Sequence, residues 1–335
     1  MKIVIYDVEQ WERDGFPDLG EEHEVVMIER QLTAESAAEH ADADIVSVFI
    51  YSRPDAEALQ RFDHLRMIAA RSTGTDHLPT DYCEEQGIAI CNVPSYGTHT
   101  VAEHVFALLL TLSHRIEDAV DRTRKGDFSA RGLAGFDLAG RTMGLIGTGD
   151  IGRHTARIAI GFGMRVLAYD VQPDEDLARR IGFDYVELDQ LLADADVISL
   201  HVPATPQTEG LLGAEQFDRM KHGVVLINTS RGAVLDHQAL TRALAEGRVA
   251  GAGLDVLPEE PVIREEAELL RSVYGEGQDL RTLLADTVLI RMRNVVVTPH
   301  SAFPTREAVQ RILDTTAANI RAFIAEDAQN LVTTG

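Results

Sequence analysis

Lysine is scarce in this chain. Only three of its 31 basic residues are lysines, Lys2, Lys125 and Lys221, whereas aspartate and glutamate together number 54 and the net charge is −23. Nucleic acids and anionic membranes select basic surfaces, so this charge balance argues against either as a partner. An acidic, lysine-poor surface suits a protein that works at high salt, but a GC-rich genome that favours arginine explains the composition equally well.

Cysteine and long hydrophobic stretches are also rare. Cys83 and Cys91 are too few for a disulfide framework or a metal site, and we expect both to pack as small apolar side chains in a reducing cytoplasm. The longest apolar run, residues 105–110, is far shorter than the roughly 20 residues of a membrane-spanning helix. The first seven residues have the pattern of a strand rather than of a signal peptide.

Short apolar runs alternate with amphipathic stretches along most of the 335 residues. This alternation predicts βα units on parallel sheets, hence an α/β fold, and the length suits two domains. Residues 1–98 form the first region, and one long helix over 99–125 is expected to link it to a second region that extends to about residue 300. Two further helical patterns lie at 263–273 and 279–290, and a last helix begins near residue 304.

The second region contains a glycine-rich turn between two strand patterns. A strand at 142–146 is followed by Gly-Thr-Gly-Asp-Ile-Gly at 147–152, which begins a helix, and a second strand at 165–169 ends in Asp170. Strand, three glycines, helix, strand and terminal carboxylate together form the dinucleotide-binding fingerprint. This order of elements is much more specific than the glycine pattern alone.

Each part of the fingerprint has a physical role. Gly147 permits the tight turn, Gly149 lets backbone N–H groups approach a pyrophosphate, and Gly152 lets the helix pack close to the strand. Asp170 would accept hydrogen bonds from the adenosine ribose and would repel a 2′-phosphate. The sequence therefore predicts NAD in preference to NADP.

Polar residues follow the later strand patterns of the same region. His201, Arg231, Asp255 and His300 each come at or just after the end of an apolar run. In a doubly wound sheet the ligand lies beyond the carboxyl ends of the strands, so we expect these four residues at one edge, beside the dinucleotide.

Histidines also lie in the predicted linking helix. His99, Glu103 and His104 do not have the spacing of the zinc-binding helix motif, so we interpret these histidines as helix-surface residues. No metal site is predicted.

These strand ends carry the groups that hydride transfer to a 2-oxo acid requires. Arg231 can bind a carboxylate and polarise a ketone, and a histidine can deliver the proton. His300 is the first candidate for this acid and His201 is its rival. A carboxylate beside the acid would keep it charged. Glu260 can serve with His300, although the residues alone hardly favour it over Glu259.

Taken together, the motifs resemble those of the D-isomer-specific 2-hydroxyacid dehydrogenases over essentially the whole chain. The matching segments are 70–76, 92–97, 100–104, 147–152 with Asp170, 228–232, 253–256 with 259–261, and 298–303. The interval from Glu260 to His300 is longer than in the phosphoglycerate and glyoxylate branches and is closer to the D-lactate branch.

The resemblance implies a fold and a domain organisation. Two doubly wound parallel-sheet domains are expected, a flavodoxin-like substrate domain made of 1–98 and 304–335 and a Rossmann-type NAD-binding domain over 99–303. The family is usually dimeric through the nucleotide domain and its linking helix, which implies a homodimer. The implied reaction is NAD-dependent reduction of a small 2-oxo acid, pyruvate first, to the D-2-hydroxy acid. Glyoxylate or hydroxypyruvate reduction and an NAD(H)-sensing corepressor are the alternatives.

The resemblance also assigns residues. It implies an Arg231, Glu260, His300 triad and selects Glu260 over Glu259 because Glu260 directly precedes a proline. Substrate contacts are implied for the backbone of Ser72, Thr73 and Gly74 and for the side chains of Tyr96 and Tyr51. Cofactor contacts are implied for Gly147, Gly149, Asp150, Ile151, Gly152, Asp170, His201, Val202, Pro203, Thr208, Thr229, Ser230 and Asp255.

Overall fold

The computed structural model of the protein describes residues 1–257 and 287–332. The chain divides into two units, Met1–Tyr96 with Pro304–Gly335, and Gly97–Phe303. Glu260 and the predicted helix at 263–273 lie outside the described residues, as does most of the predicted helix at 279–290, of which 287–290 are helical.

The first unit is built on a five-stranded parallel sheet with the order β2-β1-β3-β4-β5. This is the flavodoxin-like order. The strands are β1 (Lys2–Ile5), β2 (Glu24–Met27), β3 (Ile45–Val48), β4 (Met67–Ala70) and β5 (Ala89–Cys91), and the helices of this part of the chain are α1 (Gln10–Gly15), α2 (Ala34–Ala38), α3 (Ala56–Leu59) and α4 (Thr80–Gln86).

The second unit is built on a seven-stranded parallel sheet with the order β12-β11-β10-β9-β6-β7-β8. The six strands from β8 to β11 have the Rossmann order, in which the strand order reverses between β6 and β9, and β12 adds a seventh strand beside β11. The strands are β6 (Thr142–Ile146), β7 (Arg165–Tyr169), β8 (Asp184–Tyr185), β9 (Val197–Leu200), β10 (Val224–Asn228), β11 (Val249–Leu254) and β12 (Val295–Val297). The helices are α5 (Thr98–Ser113), α6 (Ile116–Arg124), α7 (Asp150–Gly161), α8 (Glu175–Ile181), α9 (Leu188–Asp194), α10 (Ala214–Arg219) and α11 (His237–Ala245), and α12 (Arg306–Ile324) follows in the first unit.

Each sheet is covered on both faces. In the second unit Met143 and Leu145 pack into one apolar cluster, whereas Ile146, with the opposite orientation, packs into another. In the first unit Ala317 and Ile320 of α12 pack on one face of the sheet. Strands buried on both faces read as continuous Val, Ile and Leu runs, which is why the sequence located them well. The predicted fold class is confirmed.

The single linking helix predicted over 99–125 is wrong, because the structure contains two helices, α5 and α6. The backbone N–H of Phe136 donates to the carbonyl of Ser113 (3.0 Å), so the arriving loop takes the acceptor that would have continued α5. Arg115 then has the left-handed φ of 52° and begins α6 with its side chain bonded to Asp118. A tertiary contact therefore ends a helix that the local pattern would continue.

The sequence did not predict α1. Glu9 and Glu12 form a capping box at the start of this helix, in which the backbone N–H of Glu9 donates to the carboxylate of Glu12 (2.8 Å). Within the described ranges, no helix is both long enough and apolar enough to cross a membrane.

Candidate active site

The turn after β6 has the shape that the fingerprint requires. Gly147 adopts φ = 98°, and a Cβ there would lie 2.6 Å from the carbonyl oxygen of His201. A Cβ on Gly152 would lie 2.3 Å from the carbonyl oxygen of Gly147, so the close approach is between α7 and the turn itself. Gly149 differs, because a Cβ there would have no atom of the described residues within 4 Å. The turn therefore leaves no room for a side chain at Gly147 or Gly152, whereas the space beside Gly149 is open.

Asp150 and Ile151 form the first turn of α7, directly after this opening. Asp150 is exposed and its carboxylate lies 3.8 Å from the guanidinium of Arg153. Arg153 also donates from Nε to the carbonyl of Thr148 (2.8 Å), which ties the helix start to the turn. The N-terminus of α7 thus faces the open space that a pyrophosphate would need.

Asp170 lies at the end of β7 with its carboxylate fixed by neighbours. Thr148 donates to Oδ2 from its backbone N–H (2.7 Å) and its hydroxyl (2.8 Å), and the backbone N–H of Gln172 donates to Oδ1 (2.9 Å). Burial alone would raise the pKa of Asp170, but the hydrogen bonds from Gln172 and Thr148 outweigh it and lower the pKa. The carboxylate is held ionised, as a ribose-binding group must be. The hydroxyl of Tyr185 extends this network to Thr148 (2.8 Å), a contact that no sequence signal indicated.

The segment after β9 forms a loop that closes on itself. The hydroxyl of Thr208 donates to the carbonyl of Pro203 (2.6 Å) and accepts from the backbone N–H of Thr205 (2.8 Å). Val202 is half-buried and Pro203 is exposed. The hydroxyl of Thr208 therefore shapes this loop, whatever else it contacts.

Thr229, directly after β10, has a buried hydroxyl with no hydrogen-bond partner among the described residues. A buried hydroxyl without a partner costs about 1–3 kcal/mol, so such a group is suited to a hydrogen bond with a bound ligand or water. The orphaned hydroxyl of Thr229, the open space above Gly149 and the ionised Asp170 fit a dinucleotide. The residues present are therefore suited to hold the predicted cofactor.

Arg231 is positioned by a buried amide. Asn228 is fully buried and donates from Nδ2 to the carbonyl of Arg231 (2.9 Å), while its Oδ1 accepts from the backbone N–H (3.0 Å) and hydroxyl (2.8 Å) of Ser230. The Arg231 side chain is half-buried, and one of its NH groups donates to the carbonyl of Ser230 (2.9 Å). Asn228 therefore fixes the turn that carries Arg231, a role that the sequence analysis did not predict.

Asp255 is the centre of the turn that carries His300. Its carboxylate is fully buried and accepts from the Thr298 hydroxyl (2.5 Å), the Ser301 backbone N–H (2.8 Å) and the Ala302 backbone N–H (2.9 Å). Its backbone carbonyl accepts from the N–H of His300 (2.9 Å). His300 itself has φ = 52°, which is uncommon outside glycine, and these bonds hold the strained turn in place.

The interpretation of His104 as a helix-surface residue is wrong. Its side chain is 19% exposed, and Nε2 lies 3.1 Å from the hydroxyl of Thr298 and 3.4 Å from the carboxylate of Asp255. Helix α5 packs on β11 and β12, so this side of the helix faces the turn. Local periodicity cannot identify a partner 194 residues away.

His201 has the properties of a neutral histidine. Burial of its ring lowers the pKa to about 4, and Nε2 lies 3.0 Å from the hydroxyl of Ser199. At neutral pH it carries no proton to donate as an imidazolium, which disfavours it as the acid. His201 follows β9, so the sheet order puts it nearer the glycine-rich turn than His300, which follows β12.

In the first unit, the turn after β4 is held by its own polar groups. The Ser72 hydroxyl donates to the carbonyl of Gly74 (2.7 Å), the Thr73 hydroxyl donates to the carbonyl of Val93 (2.7 Å), and Asn92 donates to the carbonyl of Thr73 (2.8 Å). Within the described residues, no acceptor is bonded to the backbone N–H groups of Thr73 and Gly74. The turn therefore presents donors suited to a small anion.

The two predicted tyrosines also lie in the first unit. Tyr51 is 36% exposed and packs edge-on against Phe49, with ring centroids 5.3 Å apart. Tyr96 is half-buried, and its carbonyl accepts from Arg311 of α12 (2.9 Å).

Fold and site together define a class, the dehydrogenases that use a dinucleotide bound at a Rossmann turn. Residues 106–302 match the family model described as D-isomer specific 2-hydroxyacid dehydrogenase, NAD binding domain. A D-lactate dehydrogenase of Escherichia coli is 36% identical over 96% of this chain and 96% of its own length. A glyoxylate reductase of Korarchaeum cryptofilum is 35% identical over 94% and 87%.

A solved structure of a D-lactate dehydrogenase is also similar to this chain. The D-lactate dehydrogenase of Aquifex aeolicus, solved with NAD and lactic acid, superposes with a TM-score of 0.83 at 36% identity and covers 97% of this chain and 96% of its own. The chain belongs to the D-isomer-specific 2-hydroxyacid dehydrogenase family. It is an NAD-dependent 2-hydroxyacid dehydrogenase, as the sequence motifs predicted.

Proposed function

We propose that this enzyme reduces a small 2-oxo acid, pyruvate or a close analogue, to the D-2-hydroxy acid with NADH. The observation that carries the proposal is a pair of turns at one edge of the seven-stranded sheet, each held in place by hydrogen bonds to a buried polar side chain. Asn228 fixes the turn of Arg231 after β10, and Asp255 fixes the turn of His300 after β12. The two strands are separated only by β11, about 10 Å apart in all, which leaves room for a small substrate between two long side chains.

The roles follow from the chemistry of the side chains. Arg231 would bind the substrate carboxylate and polarise the ketone, since its planar guanidinium stays charged at every working pH. His300 would give its proton to the oxygen as the negative charge develops there, with Glu260 stabilising the imidazolium. NADH, when bound, supplies the hydride.

The remaining substrate contacts are assigned to residues of the first unit, and the cofactor contacts to residues of the second. Backbone N–H groups of Thr73 and Gly74 would bind a carboxylate oxygen, and Tyr51 and Tyr96 would contact the substrate side chain. On the cofactor, we assign Asp170 to the ribose and the opening at Gly149 to the pyrophosphate. Further cofactor contacts are assigned to Asp150, Ile151, His201, Val202, Pro203, Thr208, Thr229, Ser230 and Asp255.

A panel of substrates tests the proposal. Purified enzyme is assayed with NADH and pyruvate, glyoxylate or hydroxypyruvate, and the product of pyruvate reduction is resolved on a chiral column. We expect the highest kcat/KM for pyruvate and D-lactate as the product. Glyoxylate reduction is the second candidate, because a glyoxylate reductase is among the relatives at 35% identity. Higher kcat/KM for glyoxylate would favour it, and L-lactate would contradict the proposal.

We also propose a cytoplasmic homodimer. Large apolar side chains are exposed on α6 and on the loop that follows it, at Ile116 (46%), Val120 (39%) and Phe128 (84%). A second copy of the chain is the partner that the family suggests for this surface. The buried free thiols of Cys83 and Cys91 suit a reducing compartment. Light scattering after gel filtration tests the dimer, and Val120→Asp should shift the measured mass toward that of one chain.

A further inference from the structure

We propose that His104, on α5, is a positioning residue for His300 and acts through Thr298 and Asp255. The inference rests on the proposed function, since it gives a role to a residue outside the Arg231, Glu260, His300 triad. It begins from the hydrogen-bond chain between the helix and the turn. All of its members lie in the second unit.

The direction of the chain follows from its donors and acceptors. The Thr298 hydroxyl donates its proton to Oδ1 of Asp255 (2.5 Å), so it can only accept from His104 Nε2 (3.1 Å), which must carry a hydrogen. Nε2 also lies 3.4 Å from Oδ1 of Asp255. The imidazole N–H of His104 thus orients the Thr298 hydroxyl so that it donates to Asp255. The same N–H also lies close to the Asp255 carboxylate and adds a favourable electrostatic contact to it.

The carboxylate in turn shapes the backbone around His300. Asp255 accepts the N–H groups of Ser301 and Ala302 on its two oxygens, and its carbonyl accepts the N–H of His300. The Asp255 carboxylate is fully buried, so losing any of its hydrogen-bond donors would leave a buried polar atom unpaired, which is costly. Removing the N–H of His104 frees the Thr298 hydroxyl to turn away from Asp255. The Asp255 carboxylate can then rotate away from the backbone amides that hold the left-handed φ of His300. His104 therefore governs where the imidazole points without touching the substrate.

Two substitutions at position 104 separate this role from simple packing. His104→Gln keeps an N–H at the place of Nε2, whereas His104→Met has similar length and bulk but no donor. We expect His104→Met to lower kcat about tenfold, with a smaller change in KM for NADH, because Asp255 is the one residue of this hydrogen-bond chain that is also assigned to the cofactor. His104→Gln should keep most of the activity. His114→Met is the matched control, an exposed histidine at the end of the same helix.

Amide hydrogen exchange gives a readout that does not depend on turnover. In His104→Met the amides of Ser301 and Ala302 should exchange about tenfold faster than in the wild type, and in His104→Gln they should remain protected. Thr298→Val removes the relay hydroxyl and should reproduce the Met variant. The double variant should then be no worse than either single one, since both break the same chain.

The outcomes are distinct. Equal kcat and equal exchange in the Met and Gln variants would overturn the positioning role, even if the wild type reduces pyruvate rapidly. Conversely, a wild type that reduces no 2-oxo acid would overturn the proposed function, while faster exchange confined to the Met and Thr298→Val variants would still establish that His104 orders the turn. If His104→Met does not fold, Thr298→Val against Thr298→Ser provides the same comparison.

Discussion

Two alanine substitutions only three residues apart in the glycine-rich turn should have opposite effects. Gly152→Ala should impair the fold, whereas Gly149→Ala should leave the fold intact and impair cofactor binding. The contrast follows from what a Cβ would meet at each position. It separates the structural role of the fingerprint from its binding role.

At position 152 the new methyl would lie 2.3 Å from the carbonyl oxygen of Gly147 and 3.6 Å from Cβ of His201. The close neighbour is backbone, so α7 must shift away from the turn rather than a side chain rotating aside. Overpacking of this kind costs typically about 2 kcal/mol. For a unit of roughly 200 residues, that corresponds to a fall in Tm of about 4–8 °C.

At position 149 the methyl would meet no described atom within 4 Å, and the φ of −61° is one that alanine adopts readily. Exchanging glycine for alanine before the helix should cost less than about 1 kcal/mol. The methyl would nevertheless occupy the opening assigned to the pyrophosphate. Losing one charge-assisted hydrogen bond there, about 1.5–3 kcal/mol, should raise KM for NADH by about ten- to a hundredfold.

Thermal melts with and without NADH, together with KM for NADH, measure both effects. We expect Gly149→Ala to melt like the wild type without NADH and to lose the stabilisation that NADH gives. Gly152→Ala should melt early in both conditions. A Gly149→Ala enzyme with unchanged KM would refute the assignment of the pyrophosphate, and a Gly152→Ala protein with an unchanged Tm would refute the packing argument.

Five further predictions concern the acid, its rival His201, its partner, the cofactor and salt. His300→Ala should lower kcat by about 10²–10⁴, measured by steady-state turnover. His201→Asn should change KM for NADH but leave the pH limits of kcat in place, because burial already holds the pKa of His201 near 4 and it stays neutral above that pH. Glu260→Gln should move the alkaline limit of reduction to lower pH, since the imidazolium loses its partner; Glu259→Gln is the matched control, and an equal shift in both would contradict the choice of Glu260. Asp170→Ala should raise kcat/KM for NADPH relative to NADH, and an unchanged ratio would count against the ribose contact. If the excess of acidic residues reflects adaptation to salt, activity and Tm should both rise from dilute buffer to molar KCl; a flat response would favour genome composition as the cause.

The sequence alone determined the features that depend on neighbours along the chain. Strand runs, the glycine-rich turn and the carboxylate at the end of β7 are local patterns, because strand burial and a tight turn impose their residue types within a few positions. The same reasoning located the ends of β9, β10, β11 and β12. It could therefore predict that polar residues collect at one sheet edge.

Only the tertiary structure decided which of those residues build the site. Asp255 bonds to groups 43 to 47 residues away, and His104 meets a threonine 194 residues away, through the packing of α5 on β11 and β12. The break between α5 and α6 likewise depends on a loop that returns to Ser113. Hydrogen bonds between distant segments leave no periodic trace in the sequence, since any residue of the right chemistry can form them once packing brings it near.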